Sequence, residues 1–122
     1  MKNIMPQEIE VWYLIPALRK ELAKIFINDY NMSQKKSAEI LGITEAAVSQ
    51  YLKSKRGNEM NFSEDEMKKI RRTAGKIIKD EKNLVKNLYD LCNLLKKSQA
   101  ICEIHKSQDK NIPGNCSVCF NR

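Results

Sequence analysis

Apolar residues recur at helical spacing along most of the chain, with Gly and Asn clusters as punctuation, so the pattern predicts an all-α fold ending in a tail without a period. Pro6 opens a short first helix. Pro16 fits as an early residue of a second helix running to about Asp29, where its missing N–H costs little, and Leu18, Leu22, Ile25 and Phe26 share that helix's inner face. Two shorter helices follow, Ser33 to Leu41 and Thr44 to about Lys53, and Lys55-Arg56-Gly57-Asn58 closes the segment as a basic turn. Ser63 with Glu66 three residues on forms a capping box, and Phe62 with Met67 a hydrophobic staple, so another helix starts at Ser63. Beyond it Met67, Ile70, Ala74, Ile77 and Ile78 make one apolar stripe, and Leu84, Leu88, Leu91 and Leu95 a second. Both stripes are expected to face a core or a second subunit.

The segment from Ser33 to Lys53 has the parts of a helix-turn-helix. Ser33 and Thr44 are good N-caps, Ala38 is small where two crossing helices approach, and Gly42 can take the positive φ that ends one helix and turns toward the next. At about 100° per residue from Glu45, Ser49 falls near 40°, Lys53 near 80°, Ala46 near 100° and Gln50 near 140°, which gives one exposed, mostly polar face. Ala47, Tyr51, Val48 and Leu52 occupy the opposite arc, from about 200° to 340°. Such a helix can enter the major groove, with Gln50 bridging adenine N6 and N7, Ser49 bonding either way and Ala46 meeting a thymine methyl. Gln34 and Lys35 would touch phosphates at the start of the preceding helix, where backbone N–H groups and the helix dipole also favour an anion. Lys53, Lys55 and Arg56 would extend that electrostatic footprint. An ordinary helical hairpin is the competing reading of the same pattern.

Charge adds to this picture through its distribution. The 122 residues carry a formal charge of +7 with 22 Lys and Arg, which points to a polyanionic partner or simply to a soluble surface. Residues 1–32 balance four basic against four acidic side chains, whereas residues 33–57 hold five against two. The excess therefore begins at the segment that would meet DNA. It recurs over 83–122, with six basic against three acidic, so charge alone does not single out one surface. The longest uncharged apolar stretch, Val11 to Leu18, is far short of the roughly 20 residues a spanning helix needs. With no secretory signal either, a cytoplasmic location is expected.

Met5-Pro6-Gln7-Glu8-Ile9-Glu10-Val11 and Ile15-Pro16-Ala17-Leu18-Arg19, followed by Leu41-Gly42-Ile43-Thr44-Glu45-Ala46-Ala47-Val48-Ser49-Gln50-Tyr51-Leu52, resemble archaeal XRE-type (Cro/repressor-like) regulators over residues 5–57. The resemblance implies a five-helix DNA-binding domain that binds palindromic operators as a dimer. Some archaeal members also end in a Cys-rich tail similar to Cys102-Glu103-Ile104-His105 with Cys116-Ser117-Val118-Cys119. Others carry a thiamine-phosphate synthase domain, which has no counterpart in these 122 residues.

All 4 cysteines, at 92, 102, 116 and 119, fall in the last 31 residues, and clustering of that kind suggests a metal site more than disulfides. Cys102, Cys116 and Cys119 belong to either of two ligand sets. With His105 the spacing is compact and typical of structural zinc. With Cys92, the preferred set because it leaves no cysteine unused, there are four thiolates, suited to an iron–sulfur cluster such as 4Fe-4S, or again to zinc. Ten residues of unbroken helix would put Cys92 and Cys102 roughly 15 Å apart along the axis. Cys92 can therefore join the set only if the helix breaks near Lys96-Lys97-Ser98-Gln99, where Ser98 can cap a new helix. Otherwise Cys92 is a small buried hydrophobe beside Leu88, Leu91 and Leu95, and His105 an exposed helix-end residue. The polar tail from Lys106 to Arg122 is expected to be disordered unless a metal fixes it.

The sequence thus predicts a helix-turn-helix domain over 1–60 and, over 61–122, a helical dimerisation segment with a Cys-rich tail. The expected function is that of a homodimeric regulator binding double-stranded DNA and sensing redox state, oxygen or iron–sulfur status through its tail. The alternatives are a zinc-stabilised regulator and a protein-interaction adaptor without a sensing role. An enzyme is not expected, because no paired carboxylates, nucleophile with base, or phosphate loop occur.

Overall fold

The computed structural model describes residues 3–53, 60–96 and 99–108, and every regular element among them is helical. The α-helices in chain order are α1 Pro6–Ile9, α2 Ile15–Tyr30, α3 Gln34–Leu41, α4 Glu45–Leu52, α5 Glu64–Lys79, α6 Leu84–Leu95 and α7 Gln99–Gln108. The basic turn at Lys55-Arg56, the cap at Ser98 and the tail beyond residue 108 lie outside the described residues.

The first correction to the sequence reading concerns α1 and α2, which are not separate helices. Glu10–Leu14 joins them as a π-helical turn in which the Ile15 N–H donates to the Glu10 carbonyl five residues back. Pro16 follows directly. In an α-helix its ring would press on the carbonyl four residues earlier and leave that carbonyl without a donor. The wider turn relieves this conflict, so one helical path runs from Pro6 to Tyr30 with Pro16 inside it. It ends at Asn31, whose φ of 55° is the left-handed conformation that Asn tolerates, with its N–H returned to the Phe26 carbonyl.

One hydrophobic core takes side chains from both sides of residue 60. Leu18, Leu22 and Phe26 of α2 are fully buried, as are Val48 of α4, Ile70 and Ile77 of α5, and Leu91 and Leu95 of α6. The two stripes seen in the sequence are therefore largely consumed within one protomer: α5 packs on α2 and on α6. The Ser63 cap is present as expected, with Ser63 Oγ accepting from the Glu66 N–H at 3.2 Å and Glu66 accepting from the Ser63 N–H at 2.8 Å. Lys36 of α3 pairs with Glu81 after α5 at 3.1 Å, tying the start of α3 to the end of α5. Both partners are half exposed, so the tie is a weak one. No helix among the described residues is long and apolar enough to cross a membrane.

Candidate nucleic-acid interface and cysteine cluster

α3 and α4 are joined by a three-residue turn, Gly42-Ile43-Thr44. Each helix is started by a hydroxyl: Ser33 Oγ accepts from the Lys36 N–H and Thr44 Oγ1 from the Ala47 N–H, both at 3.0 Å. Between them Gly42 adopts φ 69°, and its N–H reaches the Ala38 and Glu39 carbonyls. A Cβ added at Gly42 would touch nothing within 4 Å, so the demand for glycine there is purely one of backbone conformation. Gly42→Ala is expected to cost about 1–2 kcal/mol, the usual penalty for an L residue in the left-handed region. Urea denaturation with an unchanged m-value checks it.

α4 sorts its side chains as the 100° period demands. Val48 and Tyr51 are buried and Leu52 half-buried, while Glu45, Ala46, Gln50 and Lys53 are exposed and Ser49 half-exposed. The buried side faces α2 and α3, which leaves the polar side open. Gln34 and Lys35 are exposed at the first turn of α3, and Thr44 at the start of α4. Of the ten residues expected at DNA, counting Thr44 and Glu45 at the head of α4, the structure thus exposes seven and half-exposes Ser49. The remaining two, Lys55 and Arg56, lie outside the described residues. The sequence reading overlooked the segment after α5, from which the Glu81 carboxylate reaches Lys36 beside Gln34 and Lys35 at the start of α3.

The expected helix break is present to the extent that α6 ends at Leu95 and α7 begins at Gln99. Cys92 sits half-buried on α6, and Cys102 is buried on α7. Burial, helped by the Glu10 carboxylate and opposed by Arg19, pushes the Cys92 thiol up to about 11. At neutral pH Cys92 therefore keeps its proton, whereas metal-ready thiols sit where positive charge lowers their pKa.

His105 is the second correction. It is 5% exposed, not a solvent-facing helix end, and its Nε2 lies 2.6 Å from the Ile4 carbonyl. A carbonyl can only accept, so Nε2 carries a proton, and in the neutral ring Nδ1 is the nitrogen with the lone pair. Cys102 and His105 are three residues apart on α7, hence on one face, and both are buried. Among the described residues no group of three or more His, Cys, Asp or Glu side chains is placed to hold a metal. Cys116 and Cys119, which both ligand sets require, lie outside the described residues.

The chain matches no protein-family model, no curated protein and no solved structure.

Proposed function

We propose that the chain is a sequence-specific regulator of transcription that binds double-stranded DNA through α4, with Gln34 and Lys35 of α3 on the flanking phosphates. The observation that carries this reading is the sorting of α4. Its outward face of Glu45, Ala46, Gln50 and Lys53 is exposed and Ser49 half-exposed, while its inward face is anchored by Val48 and Tyr51 in the core. A helix so held presents short polar and apolar groups of the kinds that read base edges, beside cations that find phosphates. The molecule acts as a homodimer on a palindromic operator. Selection from a randomised duplex library tests the reading: enriched sequences should show two half-sites about one helical turn apart. A library that yields no preferred sequence overturns it.

The tail enters the same proposal as a metal site built on Cys102, Cys116 and Cys119. One specific observation favours His105 as the fourth ligand and zinc as the metal: its Nε2–H is held by a backbone carbonyl, the outer-shell contact that orients a ligating imidazole and frees Nδ1. The alternative set with Cys92 would suit an iron–sulfur cluster and a sensing role, but burial and the Glu10 carboxylate favour the protonated form of that thiol, which a cluster would have to displace. Protein purified without oxygen is expected to be colourless and to contain about one zinc per chain by elemental analysis. A brown sample with a broad visible absorption band would restore the Cys92 set.

A further inference from the structure

A cleft of about 570 Å³ opens between the first turns of α2 and the flank of α6. Its size falls in the range of roughly 300–1,000 Å³ typical of small-molecule sites. Ile15 of α2 with Leu84 and Leu88 of α6 supply apolar walls, and Leu41 and Gly42 close it from the end of α3. Three helices thus meet around a space that their own side chains do not fill. α6 does not turn only polar groups toward it: Val85 and Tyr89 line the cleft while remaining 80% and 65% exposed.

The polar groups at this cleft are few. Arg19 lines it, and the guanidinium Nε is buried with no hydrogen-bond partner. The enclosed Nε is out of an occupant's reach, but the charge of a guanidinium that lines an apolar cleft still gains from an anion placed there. Glu10 also lines the cleft and already has interactions of its own within the chain. Its negative charge disfavours a ligand carrying more than one. Asn93 adds a neutral hydrogen-bonding side chain.

We infer that this cleft binds a small monocarboxylate with an apolar body, its carboxylate on Arg19 and its hydrocarbon part between Ile15, Leu84 and Leu88. Glu10 disfavours phosphates and di- or tricarboxylates, which carry more negative charge. Because Leu41 and Gly42 form both a wall of the cleft and the corner between α3 and α4, the occupant touches the joint that sets the attitude of α4. The ligand is therefore an effector of the DNA-binding unit, a role that rests on the function proposed above. The binding itself does not.

Calorimetric titration of the full chain with sodium octanoate, in the absence of DNA, tests the site directly. Saturable binding at one site per chain is expected, with 1-octanol, which has the same chain and no charge, binding at least about tenfold more weakly. Arg19→Gln should lose about tenfold or more in octanoate affinity, the effect of removing a charge-assisted hydrogen bond. Val85→Trp, at an exposed position where folding is not at stake, should weaken octanoate by crowding the mouth. Absence of octanoate binding, equal binding of octanol, or wild-type affinity in both variants would overturn the assignment. Duplex binding with and without saturating octanoate then tests the effector role, and an affinity shift of about fivefold or more is expected. If DNA binds but octanoate leaves its affinity unmoved, the effector role fails while the site stands. If no DNA binds, the regulator reading fails and the calorimetric result is untouched.

Discussion

Phe26→Ala is expected to remove about 3–5 kcal/mol of stability, the usual cost of deleting a fully buried aromatic side chain and leaving its cavity. Phe26 is 0% exposed and is the largest side chain completely enclosed in the core. It sits on α2, the helix against which α3, α4 and α5 all pack, so the neighbours cannot close the void without moving several helices. A domain of this size holds about 5–15 kcal/mol in total, and the variant should be close to half-unfolded at modest urea. The transition midpoint should fall steeply with the slope nearly unchanged. A loss below about 1 kcal/mol would mean that the core around α2 collapses readily, and the rigid mounting of α4 assumed for DNA reading would go with it.

How much of this arrangement could be read from the sequence depended on whether the cause was local. The α3–turn–α4 unit was legible because each signal acts within a few residues. A hydroxyl caps the N–H three residues on, Gly42 takes a left-handed conformation that is costly for most other residues, and the 100° period divides α4 into faces. Pro16 was ambiguous for a local reason as well. A proline in the first turn of a new helix and a proline just after a π turn look alike in sequence, and only the Ile15-to-Glu10 hydrogen bond separates them. The α5 stripe announced a buried face without naming its partner, and that partner proved to be α2 and α6 of the same chain.

The least legible features depended on residues far apart along the chain. His105 is buried because α7 returns to the N-terminal segment, where the Ile4 carbonyl, 101 positions away, accepts from its ring. No periodicity or spacing in α7 encodes that acceptor. Arg19 looked like an ordinary charged residue near the start of α2, and its importance arises only where α2, α3 and α6 converge on one cleft. Cys92 was legible as a thiol beside leucines, yet its pKa is raised chiefly by burial, and Glu10 and Arg19, which pull it in opposite directions, come from a different part of the chain.

Gln50→Ala and Lys53→Ala should damage DNA binding in different ways, and the difference separates base reading from simple attraction. Gln50 is exposed in the last full turn of α4, where a carboxamide can both donate to and accept from an adenine edge. Its truncation should cost about 1–3 kcal/mol on the preferred duplex, roughly tenfold to a hundredfold in affinity, and far less on a scrambled one. The preference narrows because a base-edge contact is lost while the phosphate contacts remain. Lys53, exposed at the C-cap of the same helix, has only charge to offer. Lys53→Ala should weaken preferred and scrambled duplexes alike and reduce the slope of log affinity against log salt by about one. Fluorescence anisotropy across a salt series measures both quantities on the same samples. If the two variants behave alike, with equal losses on both duplexes, α4 contributes charge and not sequence reading; if neither moves binding at all, the interface lies elsewhere on the molecule.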